Sequence, residues 1–187
     1  MKRISLILAL MFLSGCVTYS LVKPGTVKVG DAYRAQPRME WSRLDRGKSE
    51  AWTIDGNNLH AVEFIKGIED GDVIFQPVAG KSADNLPKYR KGMNPLEIQD
   101  LITNSVKANG GLKLEVEELR PVKLSGIDAF RSEFAYTLKD GLIRKAIAVS
   151  AVKNEKLYVL LYYAVKQHYF GKYKDDVERL FESIEIL

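Results

Sequence analysis

Cysteine and histidine are scarce in this sequence of 187 residues, which contains one cysteine, Cys16, and two histidines, His60 and His168. A single cysteine cannot form an intramolecular disulfide, so packing alone must stabilise the folded chain. Two separated histidines without cysteine partners are too few for the usual zinc sites. We therefore expect no metal and no cofactor. His60 is predicted to be half-buried in a strand, and His168 is predicted to face solvent.

The net charge is also small, because 28 lysines and arginines are nearly balanced by 24 acidic residues. Lys2 and Arg3 lie in an N-terminal segment without acidic residues, and its removal would lower the net charge from +4 to +2. Nucleic-acid-binding proteins usually carry a much larger positive excess. The sequence therefore predicts no nucleic-acid partner.

The apolar run at residues 4–13 is too short for a membrane-spanning helix, which needs about 20 residues. It directly follows the cationic start of the chain and contains only Ser5 as a polar residue. This order is typical of an export signal, which is removed from the mature protein. Residues 1–15 are therefore predicted to be a signal peptide; the alternative is a buried apolar helix.

The segment Leu13-Ser14-Gly15-Cys16 ends this signal and resembles the lipobox of bacterial lipoproteins. In that family the cysteine thiol receives a diacylglyceryl group, the chain is cut before the cysteine, and the new amine is usually acylated. The resemblance implies that Cys16 is lipidated and that the lipid bilayer is a partner. Two or more acyl chains would make this attachment stable. An ordinary cleaved signal remains the alternative.

Val17 stands where an inner-membrane retention signal usually has aspartate, so the resemblance implies sorting to the outer membrane, facing the periplasm. Residues 16–27 are predicted to be a short lipidated tether, in which Pro24-Gly25 interrupts regular structure. One globular domain is predicted over residues 28–187, because a chain of this length normally forms a single domain.

Strand patterns dominate the remaining sequence. Residues 50–54 and 59–65 flank a turn-rich stretch and predict a hairpin. Further strands are predicted at 73–75, 112–116, 129–138, 142–152 and 157–165, the last three joined into an antiparallel meander. Residues 157–163 lack polar alternation, which predicts a central strand covered on both faces. The alternation at 112–116 predicts a half-buried strand.

Two helices are predicted. The first begins at the N-cap Asn94, with Pro95 in the first helical position and Glu97 completing a capping box, and it ends near residues 109–111. The second covers residues 171–184, where five apolar side chains form one stripe: Tyr173, Val177, Leu180, Phe181 and Ile184.

Residues 142–187 resemble the C-terminal part of PsbP-like and DcrB-like domains. The resemblance rests on the strand Lys156-Leu157-Tyr158-Val159-Leu160-Leu161-Tyr162 and on a following helix with Tyr173, Phe181, Ser183 and Ile184. It implies an α+β fold with helices packed on both faces of an antiparallel sheet, an α/β/α sandwich. Bacterial lipoproteins of this family have poorly defined envelope roles, and a fold by itself does not assign a function.

No set of residues predicts catalysis. Gly80-Lys81-Ser82 lacks the glycine that a phosphate-binding loop needs five residues earlier, where Phe75 stands. Ser150 and Lys153 have the spacing of penicillin-binding enzymes but lie in a predicted strand, which directs them to opposite faces. Three acidic residues near the middle of the chain are predicted to be solvated: Glu115, Glu117 and Glu118.

The predicted function is that of a membrane-anchored envelope lipoprotein of the non-enzymatic, binding or assembly-accessory type, with an envelope protein or envelope component as partner. The alternative is an envelope hydrolase acting on cell wall or lipid, with Ser150, His60 or acidic residues brought together from distant positions. A loop over residues 77–93 offers four possible contacts with an anionic surface: Lys81, Lys88, Arg90 and Lys91. A plain surface loop would account for the same residues.

Overall fold

The computed structural model describes residues 18–76 and 85–187; the predicted signal peptide, Cys16 and Lys81 lie outside these described residues. The described ranges contain eleven strands: β1 (Ser20–Val22), β2 (Val27–Val29), β3 (Tyr33–Ala35), β4 (Trp41–Asp45), β5 (Ser49–Thr53), β6 (His60–Ile68), β7 (Leu112–Leu124), β8 (Ile127–Thr137), β9 (Ile143–Lys153), β10 (Lys156–Val165) and β11 (Glu185–Ile186). They also contain the α-helices α1 (Pro95–Ala108) and α2 (Gly171–Glu182), and a π-helical turn at Lys166–Phe170.

The strands form two antiparallel sheets. The large sheet has eight strands in the order β1-β4-β5-β6-β10-β9-β8-β7, and the small one has three in the order β11-β3-β2. Helix α1 packs on one face of the large sheet, called here the α1 face. Helix α2 and the small sheet pack on the other, the α2 face. The predicted class, α+β with helices on the faces of an antiparallel sheet, is confirmed.

Strand β10 lies between β6 and β9 and is covered from both sides. Leu160 and Tyr162 belong to the core of the α2 face, and Val159 and Leu161 alternate with them in the core of the α1 face. A continuous apolar sequence is the pattern expected of a strand with two covered faces. The predicted central position and the meander of β8, β9 and β10 are confirmed.

Both helices form as predicted. Asn94 Oδ1 accepts hydrogen bonds from the N–H groups of Leu96 and Glu97 at 2.9 and 3.0 Å, and the Glu97 carboxylate accepts from the N–H of Asn94 at 2.8 Å. This capping box satisfies backbone donors that a helix N-terminus leaves without partners. In α2 the whole predicted stripe is buried, including Ile184 just beyond the helix end.

One strand prediction was wrong, and a second was right about the strand but wrong about the burial of two of its residues. Residues 73–75 form no strand, since Val73 makes only an isolated bridge with Lys88. In β7, Leu112 and Val116 are 47% and 48% exposed and are not half-buried. The reason is the position of β7 at the edge of the sheet, where it pairs with β8 alone.

Part of the segment predicted to be a tether, residues 16–27, belongs to the folded domain. Strand β1 pairs with β4, and Val22 lies opposite Trp41. Val22 is 2% exposed because its side chain joins the core of the α2 face, which also contains Trp41 and Trp52. The chain therefore enters the sheet at Ser20, four residues after Cys16.

His60 is completely buried on the α2 face, rather than half-buried as predicted. Its Nε2 accepts hydrogen bonds from the N–H groups of Ile54 and Asp55, both at 3.2 Å, and its ring stacks on Tyr173 at 4.3 Å between centroids. Asp55 also accepts hydrogen bonds from the Tyr173 hydroxyl and from Lys172. Burial lowers the pKa of His60 to about 4, although the nearby Asp55 acts in the opposite direction. His60 therefore joins α2 to the β5–β6 hairpin as a neutral ring.

We predict that His60 makes the stability of the fold depend on pH. Unfolded histidine has a pKa of about 6.5, and the folded value is about 4, so below about pH 6.5 the unfolded chain binds a proton that the folded chain does not. This group should lower the free energy of unfolding by roughly 2–3 kcal/mol between about pH 7 and pH 4.5. Urea unfolding of His60→Gln should show a smaller loss over this range, and the exposed-site control His168→Gln should match wild type. Equal pH dependence in all three proteins would contradict the assignment.

We predict a second, local effect at the start of α1. Asn94→Ala removes both cap hydrogen bonds and should lower the free energy of unfolding by about 1 kcal/mol. The matched control Asn104→Ala lies on the exposed side of the same helix, where alanine is a better helix former than asparagine. Chemical denaturation should therefore show destabilisation for Asn94→Ala alone. A similar loss in both variants would rule out the cap as the cause.

Candidate functional site

The α1 face contains a cavity of about 290 Å³ beside the C-terminal end of α1. Its apolar lining comes from the helix, from the sheet and from the segments that follow β6 and β8: Phe75, Val106, Leu138 and Leu161. Its polar lining includes two cations, one carboxylate and two phenols: Arg46, Arg144, Glu63, Tyr136 and Tyr163. A concave, largely apolar surface with a few convergent polar groups is the usual form of a ligand site.

Strand pairing brings these side chains together. Leu161 of β10 lies directly opposite Glu63 of β6, and Tyr136 of β8 lies directly opposite Arg144 of β9. Directly opposed residues on one face of an antiparallel pair have Cβ atoms about 5 Å apart. Tyr163 follows Leu161 on the same face, since alternate residues of a strand share a face.

Glu63 is the buried acid of the cavity. Its Oε1 accepts a hydrogen bond from Arg46 Nη1 at 2.9 Å and one from the Tyr163 hydroxyl at 3.4 Å. Burial raises the pKa of Glu63, and the positive charge of Arg46 and the Tyr163 hydrogen bond oppose this increase. Arg46 thus serves as the counter-ion of Glu63.

Arg144 is the second cation and has no such counter-ion. Its Nη2 donates a hydrogen bond to the Asn58 carbonyl at 2.7 Å, and its guanidinium carbon lies 5.2 Å from the centre of the Tyr163 ring. Its Nε is buried without a hydrogen-bond partner among the described residues, which also place no carboxylate in ion-pair contact with it. Burial raises the pKa of the neighbouring Tyr136 hydroxyl, and Arg144 acts against that shift. Among the described residues that line the cavity, the positive charges therefore exceed the negative charges by one.

The residues that sequence reasoning considered for hydrolysis do not come together. His60 contacts α2 on one face of the sheet, whereas Ser150 lies on the α1 face together with Ala146 and Ala148. Lys153 donates to the Ile186 carbonyl at 2.9 Å on the α2 face, which agrees with the predicted separation of Ser150 and Lys153. Within residues 18–76 and 85–187, no group of three or more His, Cys, Asp or Glu side chains could hold a metal ion.

The described cations of the basic loop lie away from the cavity. Lys88, Arg90 and Lys91 are exposed, and Lys81 lies outside the described residues. Arg90 Nη2 is 3.9 Å from a Glu97 oxygen, and Lys91 Nζ is 3.7 Å from a Glu155 oxygen. These carboxylates partly balance the positive charge that the sequence suggested for an anionic surface.

A charged cluster on the α2 face was missed by sequence reasoning. Arg131 is 4% exposed and donates hydrogen bonds to Glu118, Glu133 and Glu178. Burial alone would raise the pKa of Glu133, but hydrogen bonds from Lys145 and Arg131 lower it to about 2. Glu117 and Glu118 have solvent-accessible side chains, as predicted, but the pairing of Glu118 with Arg131 and of Glu117 with Lys145, at 2.7 Å, was not foreseen. Because its charges are mutually paired, this cluster is a structural connection between α2 and the sheet.

The part of the chain that the structure describes contains no helix long and apolar enough to span a membrane. No protein-family model matches the chain, and no curated protein sequence matches it. Among solved structures, the Saccharomyces cerevisiae Ran-binding protein Mog1p has a TM-score of 0.49 at 8% identity, over 91% of this chain and 96% of that one. LpqN, involved in cell envelope biogenesis of Mycobacterium tuberculosis, has a TM-score of 0.39 at 13% identity, over 93% and 87% of the two chains. TM-scores below 0.5 do not establish that two proteins share a fold.

Cyanobacterial PsbP (CyanoP) from Synechocystis sp. PCC 6803 is more similar, with a TM-score of 0.56 over 93% of this chain and 95% of that one. The two sequences are 13% identical, so the likeness shows the fold and nothing of the activity. The chain has a PsbP-like fold, as the sequence resemblance predicted.

Proposed function

We propose that this chain is a lipid-anchored protein of the cell envelope that acts by binding a partner or envelope component, without catalysis. The observation that carries the binding role is the cavity on the α1 face, whose lining combines apolar side chains with a few polar and charged ones. The lipobox-like segment ending at Cys16 supports the anchor and the envelope location, with the outer membrane as its site. The alternative role as a hydrolase gains no support, because His60 and Ser150 lie on opposite faces of the sheet.

The short distance between Cys16 and the sheet supports a domain held close to the bilayer. Four residues span at most about 14 Å, so an acylated Cys16 would keep β1 near the membrane surface. The same edge exposes Tyr19 and Leu21, which are 45% and 56% exposed. Tyrosine and leucine suit an interface between lipid and water, where one part of a side chain meets lipid and another meets water.

We predict that Cys16→Ser abolishes acylation and membrane association. Wild-type protein should incorporate radioactive palmitate and sediment with membranes, because the thiol is the acceptor of the first lipid. Ser20→Ala is the matched control, since it changes a nearby hydroxyl and leaves Cys16 in place. Palmitate incorporation by Cys16→Ser, or its absence from wild type, would refute the proposed anchor.

We also predict a fixed orientation of the anchored domain. With Cys16 acylated, a cysteine introduced at Ile54 or Val116 would be the only free thiol for a spin label. Ile54 is 37% exposed and directly follows Thr53 of β5. Thr53 pairs with Ser42 of β4, and Ser42 pairs with Leu21 of β1, so Ile54 lies near the β1 edge of the sheet. Val116 lies on β7 at the opposite edge, seven strand spacings or roughly 34 Å from β1.

In vesicles, the ratio of oxygen accessibility to accessibility for a water-soluble relaxation agent should be higher for the label at Ile54→Cys than for the label at Val116→Cys, because oxygen is enriched in lipid and the polar agent is excluded from it. Both sites are exposed and apolar, so local burial does not distinguish them. An equal ratio at the two sites would contradict the membrane-facing position of β1.

A further inference from the structure

We infer that the cavity on the α1 face binds an anionic amphiphile, a molecule with one negative head group on an apolar chain, and that Arg144 receives the head group. This inference rests on the proposed binding function and names the chemical class of the ligand. Carboxylate and phosphate monoester heads share this chemistry, and the experiment below distinguishes them.

The charge balance of the cavity favours an anionic ligand. Arginine keeps its charge in proteins and offers five donors. Arg46 is paired with Glu63 at 2.9 Å, whereas Arg144 contacts a carbonyl, the Tyr136 hydroxyl and the Tyr163 ring, none of which carries a negative charge. A buried donor without a partner is unfavourable, as for Arg144 Nε. A bound anion would supply both the missing acceptor and the missing negative charge.

The geometry of the Arg144 guanidinium suits a carboxylate or phosphate head group. Its planar fork matches the two oxygens of a carboxylate or phosphate, and such charge-assisted hydrogen bonds are stronger than neutral ones. Pairing with Tyr136 across the strands and contact with Tyr163 hold Arg144 against the cavity wall. A positioned cation loses little side-chain freedom when it binds an anion.

The apolar lining of the cavity favours a ligand that also has an apolar chain. Val106, Leu138 and Leu161 offer a surface that a small inorganic anion would leave uncovered. A neutral apolar ligand would cover this surface but leave Arg144 Nε without an acceptor. A cationic amphiphile would meet repulsion from the excess positive charge. One anionic head with an apolar chain satisfies both parts of the cavity.

The test is calorimetric titration of the full mature chain carrying Cys16→Ser, which keeps the whole domain and needs no detergent. Decanoate and decyl phosphate should bind saturably, decanol at least tenfold more weakly, and acetate undetectably. The tighter of the two anions identifies the head group. Decanol binding as tightly as decanoate, or no binding of either anion, would overturn the inference.

Variants locate the binding. Arg144→Gln should weaken decanoate binding at least tenfold, as expected for a lost hydrogen bond between charged groups. Glu63→Gln should strengthen it, because it removes the negative charge of the cavity and releases Arg46. Arg120→Gln is the matched control, since Arg120 is exposed on β7 and pairs with Glu118 there. Unchanged affinity in Arg144→Gln, or weaker binding in Glu63→Gln, would refute the assigned head-group site.

A further variant covers the case in which Arg144→Gln fails to fold. Leu138→Trp fills apolar space in the cavity and keeps every charge, so it should also weaken decanoate binding. Unchanged affinity in a folded Leu138→Trp protein would contradict the apolar chain position. The two proposals can fail separately. If the Cys16→Ser protein does not bind decanoate although wild-type Cys16 is acylated, only the proposed ligand class is refuted. If wild-type Cys16 is not acylated, the proposed anchor is refuted.

Discussion

The burial of β10 on both faces is the constraint on which the rest of the structure depends. Its apolar side chains require cover from two directions, and the chain supplies that cover unequally. On the α2 face, helix α2 and the small sheet of β2, β3 and β11 enclose a continuous core. On the α1 face, the described residues of α1 cover part of the sheet, and the cavity lies beside the C-terminal end of this helix.

The two faces also differ in how their charges are balanced. On the α2 face, Arg131 is surrounded by three glutamates, so its charge is used within the fold. On the α1 face, Arg144 has no carboxylate partner among the described residues. Removal of one partner from the Arg131 cluster would leave a buried charge without compensation, so the paired groups hold each other in place. A cation without a counter-ion, placed in a cavity with apolar walls, retains capacity for a ligand.

Local patterns made much of the C-terminal half predictable. The Asn94 cap, the stripe of α2 and the apolar run of β10 each depend on residues close in sequence, and each formed as expected. Exposure of Val116 could not be predicted, because it depends on β7 being the outermost strand. The cavity could not be predicted either, since it requires β6 to pair with β10, nearly one hundred residues later. The burial of His60 likewise depends on the docking of α2.

The proposed ligand site depends on the cavity of the α1 face, whereas the proposed membrane attachment depends on Cys16 and the edge strand β1. The most direct measurement is a crystal structure of the mature chain with decanoate. The carboxylate should lie within hydrogen-bond distance of Arg144, and the alkyl chain should lie against Leu161. Decanoate bound elsewhere, or with its carboxylate in solvent and only its chain in the cavity, would contradict the proposed ligand site.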